Sequence, residues 1–259
     1  PVLTAGIPLD AVAIAAAASV GHTTLEVVPR PRVGVLATGS ELREAGDPLG
    51  PGQIPDSNSH LLAGLVREAG CEPVEVGRAP DDPAKLLGLL AQWPALDLVI
   101  TAGGISAGAY EVVRQALSGP ASRFHRVAQQ PGGPQGLATA VVGGRPTPVL
   151  CLPGNPVSVW VGFHVLAAGV LRVLAGRATG TAPRTSRVVA AEPWSGPAAK
   201  VQFMPVVREG ERVRPMHPLG SRSHLVASLP RADGLAVVPV GTGRVEPGTE
   251  LEFIAAHPR

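Results

Sequence analysis

Cysteine is nearly absent: the 259 residues hold 2, Cys71 and Cys151, far apart and each in an apolar segment. Two isolated thiols build neither a disulfide framework nor a zinc site, so packing in a reducing cytoplasm is the expectation for both. Aromatic residues make up 3% and the formal net charge is +2, too small a balance to suggest a nucleic-acid partner but compatible with a local patch that attracts anions. The longest apolar stretch, Val157 to Leu174, is interrupted by Gly162, His164, Gly169 and Arg172, and is expected to be too polar for a membrane span. No secretory signal pattern is read at the start. A G-x-S-x-G elbow, a P-loop and a complete G-x-G-x-x-G fingerprint with its acidic partner are all missing, so serine hydrolase, P-loop NTPase and NAD chemistry lack their residues. The chain opens at Pro1 and Ala11 to Val20 reads as the end of a helix, which leads one to expect a fragment of a longer protein.

What is present suits a buried α/β core: 45% of residues are apolar and 16% charged. Residues 1–30 read as a residual helix and a connector closed by Pro29-Arg30-Pro31, whose prolines restrict the backbone. Leu61, Leu62, Leu65, Val66 and Ala69 recur at helical spacing between a start signal at Asp56-Ser57-Asn58 and a stop at Gly70. Strands are expected at Glu72 to Val76 and Leu96 to Thr101, and helices after Asp81-Asp82-Pro83 and from Tyr110 to Leu117. Strands and helices alternating at this interval make right-handed βαβ units, hence a doubly wound, mostly parallel sheet over 31–178. A Gly/Thr/Ala/Pro-rich linker near 177–185 then leads into short β runs at Arg187 to Ala191, Val201 to Val207, Val213 to Met216, Gly234 to Val240 and Glu250 to Ile254. Their spacing predicts a small barrel or sandwich over 179–259.

Three apolar strands run into small-residue turns, each expected to lead into a helix: Thr38-Gly39-Ser40-Glu41, Gly103-Gly104-Ile105-Ser106-Ala107-Gly108, and Pro153-Gly154-Asn155-Pro156-Val157-Ser158. In a parallel sheet the carboxyl ends share one edge, so the three turns are expected to line one crevice. The Gly-Gly turn suits a phosphate cradle, with Ser106 as an added donor, or a plain tight turn. In the third turn two prolines rigidify Gly154 and Asn155 so that their amides face an anion, and Ser158 either adds a hydroxyl or caps. Glu41 suits a metal ion or a helix dipole, and Glu111 a hard divalent cation or an ordinary helix start. Asp56-Ser57-Asn58 offers ligand contacts or an N-cap. His125, His164, His217 and His224 lack metal-ligand spacing, although His224 lies in a polar loop.

Thr38-Gly39-Ser40-Glu41-Leu42, Asp56-Ser57-Asn58, Gly103 to Gly108, Pro131-Gly132-Gly133-Pro134 and Pro153 to Ser158 resemble, in sequence and order, the molybdopterin molybdenumtransferases, the family that includes gephyrin's C-terminal region. The resemblance continues through Ser221-Arg222-Ser223-His224-Leu225 and Ala232-Asp233-Gly234-Leu235, which look like that family's C-terminal β-domain. It implies insertion of molybdenum from molybdate into adenylylated molybdopterin, with release of AMP and use of Mg2+. It assigns Thr38, Gly39, Ser40, Asp56, Ser57, Asn58, Gly103, Gly104, Ser106, Gly108, Pro153, Gly154, Asn155, Pro156 and Ser158 to pterin and adenylate binding, and Glu41 and Glu111 to metal and catalysis. A homodimer of the full-length protein, and the upstream adenylyltransferase as a partner, are implied too. Against the family's pattern, Ser40 stands where aspartate is common, Ala109 and Glu111 where acids are, and Gln130 and Gly133 where lysines are. Such losses keep a non-catalytic molybdopterin-binding module open as an alternative. An adenylyltransferase on the related fold is another, though Pro-Gly-Asn-Pro followed by a β-domain favours the molybdenum-inserting branch. With the family's N-terminal arm and inserted domain largely missing, this chain is expected to bind molybdopterin or its adenylate better than it turns over.

Overall fold

A computed structural model describes residues 1–106, 111–177, 180–222 and 225–256. Helix α1, Ala11–Ser19, is capped by Asp10 and followed by an irregular connector to strand β1, Arg32–Thr38. Helix α2, Asn58–Glu68, buries Leu62, Leu65 and Val66, the stripe its spacing predicts, and stops at Gly70. Strand β2, Glu72–Ala79, helix α3, Pro83–Gln92, and strand β3, Leu98–Ala102, follow; the Asp82 carboxylate accepts from the Ala84 and Lys85 amides with Pro83 in the first turn. Helix α4, Val112–Leu117, leads to strands β4, Arg123–Arg126, β5, Pro134–Val142, and β6, Arg145–Leu152, and then to helix α5, Pro156–Leu174, which carries a π-turn at Phe163–Ala167.

The first sheet has the order β2-β1-β3-β6-β5-β4, parallel from β2 through β6 and antiparallel from β6 to β4. Helices cover both faces: α2 and α5 pack with Val33, Val35, Leu98, Ile100 and Leu152, while α3 and α4 pack with Leu36, Val99, Val149 and Cys151. The fold is therefore a doubly wound, mostly parallel α/β domain. Strands β4 and β5 escape the sequence reading because β5 alternates buried and exposed residues and its neighbour β4 is largely exposed, so neither stands out as an apolar run.

Two expectations need correction. After Thr38 no helix begins: the chain forms a short strand pair, Leu42–Arg43 with Ile54–Pro55, and reaches α2 only at Asn58, so Glu41 faces no helix dipole. Gly46, Pro48, Gly50, Pro51 and Gly52 punctuate that segment and explain the detour. Helix α5 is not too polar to span a bilayer by composition, since its mean hydropathy reaches 1.8 over 18 residues. Its place is set by packing instead, with Val157, Val159, Val161, Phe163 and Leu171 inside the core.

Residues 180–185 run back along α5, where the Ala182 carbonyl accepts from Arg172 at 2.9 Å. Strands β7, Ser186–Ala190, β8, Val201–Glu209, β9, Arg212–Pro215, β10, Gly234–Val238, and β11, Glu250–Ala255, then close on themselves in the order β7-β11-β10-β8-β9, with β9 pairing back to β7. This five-stranded barrel is filled by Val188, Met204, Val206, Val213 and Phe253. It is not a separate body: Gln129–Gln130 adds a parallel strand to β8, and Met216, Leu229, Leu235 and Ile254 join the core of α2 and α5.

Both cysteines are buried, and burial pushes the Cys151 thiol up to about 12 and also raises Cys71. Because thiolate is the reactive form, native protein at pH 8 is expected to leave Cys151 unlabelled by iodoacetamide while urea exposes both thiols. Mass spectrometry of the alkylated chain checks this, and rapid native labelling of Cys151 would contradict the packing.

Candidate functional site

Strands β1, β3 and β6 are neighbours in the sheet, so their carboxyl ends bring the three turns side by side. The Gly103 amide donates to the Leu152 carbonyl at 3.0 Å, tying the second turn to the base of the third. Gly103 sits at φ +100°, and a Cβ there would lie 2.7 Å from the Thr38 carbonyl oxygen; one on Gly154 would lie 3.3 Å from Gly103 Cα. Gly103 therefore has no room for a side chain, and one on Gly154 would press against it. From the start of α2, Asn58 Nδ2 donates to the Gly154 carbonyl at 2.7 Å.

Above the crossing opens a crevice of about 820 Å3, lined by Thr38, Gly39 and Glu41, by Ser57 and Asn58, by Gly103 to Ser106 with Glu111, and by Pro153 to Pro156 with Ser158. Its volume lies in the range of small-molecule sites. Thr38 Oγ1 and Asn58 Oδ1 are buried with no hydrogen-bond partner among the described residues. The Gly104, Ile105, Gly154 and Asn155 amides likewise donate to no described residue. Buried polar groups are rarely left unpaired, so the Thr38 and Asn58 oxygens suit a polar ligand, and the exposed Gly154 and Asn155 amides stand open to its acceptors.

Some expected donors are already engaged. Glu111 Oε2 accepts from the Ser106 amide at 2.5 Å, which narrows the Gly-Gly turn as a phosphate cradle and leaves Ser106 its hydroxyl. The Glu41 carboxylate folds back over Gly39, so close that a Cβ on Gly39 would meet it at 2.6 Å. Ser40 does not line the crevice; its amide donates to Asp81 Oδ2 at 3.0 Å and its hydroxyl accepts from the Asp81 amide at 3.2 Å. Asp81 does line it, so a carboxylate reaches this wall from the β2–α3 turn. Asp56 is fully buried beneath the wall and caps α2 by accepting from the Ser59 amide at 3.0 Å. Nearby, a hydrogen bond from Arg78 at 2.6 Å holds the Glu44 carboxyl below the usual range.

A further part of the lining comes from Gln130-Pro131-Gly132, held by two buried glutamines. Gln129 Nε2 donates to the Pro131 and Gly132 carbonyls at 3.2 and 3.0 Å, and Gln135 Nε2 donates to Gly132 at 2.8 Å. Arg126 lies beside this loop, and Ser221 and Arg222 reach the crevice from the barrel.

Among the sequence-predicted residues, Thr38, Gly39, Glu41, Ser57, Asn58, Gly103, Gly104, Ser106, Glu111, Pro153, Gly154, Asn155, Pro156 and Ser158 meet at one crevice. Ser40 and Asp56 support it from outside, and Gly108 and His224 lie outside the described residues. His164 is packed in the core, its ring edge-on to Trp160 at 4.7 Å. Asp81 and Arg126 were missed: Asp81 reads as part of a helix start, and no sequence pattern singles out Arg126. Only the fold gives them an address.

Residues 34–173 match the model of a family described as a probable molybdopterin binding domain, and residues 187–255 match the MoeA C-terminal region (domain IV). Molybdopterin molybdenumtransferase 2 of Mycobacterium tuberculosis is 40% identical over 91% of this chain and 59% of its own length, and molybdopterin molybdenumtransferase of Bacillus subtilis is 28% identical over 97% and 59%. A molybdopterin biosynthesis MoeA protein from Pyrococcus horikoshii superposes over 100% of this chain and 62% of its own, with a TM-score of 0.80 at 29% identity. This chain thus spans about three fifths of the length of these relatives.

The crossing of the turns makes a direct prediction. Gly103→Ala is expected to lose on the order of 1–3 kcal/mol from backbone strain alone, and more from the contact with Thr38. Gly64→Ala, in open space on α2, is expected to gain up to about 1 kcal/mol through helix propensity. Urea unfolding of the two variants beside the parent chain measures both, and an unchanged midpoint for Gly103→Ala would show that the turns do not touch as described.

Proposed function

The chain belongs to the molybdopterin molybdenumtransferase family, and we propose that it carries the cleft that takes adenylylated molybdopterin for insertion of molybdenum from molybdate, with release of AMP. The observation that carries this reading is the crevice itself, where three strand-end turns and a barrel loop meet around unpartnered oxygens and amides. In this reading residues 1–30 are a connector, 31–178 bind the pterin and its adenylate, and 179–259 form the β-domain that closes the far wall.

Each part of the lining has a task. The Gly154 and Asn155 amides, stiffened by Pro153 and Pro156, receive phosphate oxygens with little ordering cost. Thr38, Asn58 and Ser158 orient the ligand through buried oxygens. Arg126 and Arg222 supply positive charge in a wall where Gln130 and Gly133 carry none. Glu41 and Glu111 are the metal and catalytic carboxylates, and Asp81, held by Ser40, returns a carboxylate to the wall that lost one at Ser40.

Magnesium fits this donor set as an ion recruited with substrate. Hard oxygen ligands line the crevice, yet the described residues contain no group of three or more His, Cys, Asp or Glu able to hold a metal. Magnesium commonly takes one or two carboxylates together with substrate phosphates. When bound it neutralises charge on the phosphoanhydride oxygens.

A cytoplasmic setting suits two reduced, buried thiols. A homodimer of the full-length protein is supported by the exposed apolar residues Val12, Ile14, Val27 and Val28 in the connector, and substrate would arrive from the upstream adenylyltransferase. The second reading, a non-catalytic binding module, draws on Ser40, Gln130 and Gly133, three positions that lack the charge common in the family.

Titration with adenylylated molybdopterin, with and without magnesium and molybdate, separates the readings. Saturable binding with slow molybdate-driven AMP release is the expected result, and Asp81→Asn is expected to lower the release roughly tenfold or more by loss of one positioned carboxylate. Fast release by this chain would overturn the view that it binds better than it turns over. Absence of binding would overturn the assignment of the cleft.

A further inference from the structure

The strap of residues 41–55, between Thr38 and α2, supplies part of the crevice lining and has little to hold it. Leu42, Ile54 and Pro55 line the crevice from the strap, and Ser57 and Asn58 from the turn that follows. Its own strand pair is two residues long on each side, with the Ile54 and Asp56 amides donating to the Glu41 and Arg43 carbonyls at 3.0 and 2.8 Å. Leu42, Leu49 and Ile54 join none of the three apolar cores, and Leu49 and Ile54 are exposed. Apolar burial therefore does little to fix the strap.

One side chain reaches both stretches of lining. Arg78, near the carboxyl end of β2, donates a hydrogen bond to Glu44 Oε2 in the strap at 2.6 Å, and the same nitrogen lies 3.9 Å from Asp56 Oδ2. Among the described residues, the strap's side-chain contacts with β2 and α2 run through Glu44, whose other oxygen lies 3.5 Å from His60 Nε2. Asp56 is fully buried: Oδ1 caps α2, and Oδ2 accepts no hydrogen bond from the described residues, which leaves Arg78 as its counter-charge. A buried carboxylate stripped of its counter-charge is costly. Arg78 itself lines no part of the crevice.

We propose that Arg78 is a positioning residue for the crevice. It clamps the strap at Glu44 to the start of α2 at Asp56, and so sets where Leu42, Ile54, Ser57 and Asn58 stand against a ligand. Its effect on binding rests on the reading of the crevice as the adenylylated-molybdopterin site; its effect on the strap does not.

Hydrogen–deuterium exchange of the full chain, read by mass spectrometry, and titration with adenylylated molybdopterin test the two effects separately. Exchange in peptides covering 41–58 is expected to rise roughly threefold in Glu44→Ala, by loss of a half-exposed ion pair, and about tenfold in Arg78→Ala, which also strands the Asp56 carboxylate. The double variant is expected to exchange as Arg78→Ala does, because both changes break one linkage. Arg78→Lys keeps the charge without the planar fork and is expected to restore part of the protection. Dissociation constants are expected to rise in the same order, while Arg187→Ala, which removes an exposed barrel charge, matches the parent chain in both measurements. Should Arg78→Ala not fold, Glu44→Ala, which empties no buried site, carries the test. The proposal falls if the folded variants leave strap exchange unchanged, or if exchange rises equally in β3 and the barrel, as general destabilisation would produce. It falls too if a loosened strap binds the ligand as tightly as the parent. Absence of binding by the parent chain overturns the pterin reading instead, and exchange then decides the clamp alone.

Discussion

Everything in the crevice depends on a crossing of bare backbone, where Gly154 lies against Gly103 and Gly103 against the Thr38 carbonyl. Three parallel strands end within one sheet edge in many doubly wound folds, but side chains usually keep their turns apart. Here the absence of Cβ atoms lets main chain touch main chain, and the Gly103 and Asn58 hydrogen bonds lock the contact. The turns are thus set before any ligand arrives, and the conformational freedom lost on binding is small.

A second constraint ties the crevice to the barrel. Gln129–Gln130 pairs with the barrel strand Val201–Glu209, while Gln129 and Gln135 hold the Pro131-Gly132 backbone that faces the turns. The barrel therefore does more than present Ser221 and Arg222. Through that pairing it also helps to position the Pro131-Gly132 part of the lining.

Much of this was legible in the residues. Apolar periodicity identifies α2 and the parallel strands, Asp82-Pro83 and Gly70 mark helix ends, and parallel topology alone places the three turns on one edge. The antiparallel strands Arg123–Arg126 and Pro134–Val142 were not legible, because half-exposed edge strands lack the apolar runs that betray buried ones. Composition also misjudged Pro156–Leu174, where burial and not polarity decides the environment. For the site, glycine and proline patterns located the turns, whereas Ser106, whose amide is engaged by Glu111, and Ser40, whose partner is Asp81, show what local pattern leaves out. A hydrogen bond between residues 41 positions apart has no signature in either segment.

The shared core of α5 and the barrel has a thermodynamic meaning. Met216, Leu229, Leu235 and Ile254 lie in the same apolar cluster as Leu62 and Phe163, so the linker near residue 180 divides the sequence but not the free energy. Two folded regions joined by a continuous core gain and lose structure together. A molecule bound in the crevice, gripping the strand-end turns on one side and the Ser221-Arg222 loop on the other, raises the unfolding free energy of the whole chain at once by linkage. Occupancy is then felt as far away as the strands that close the barrel.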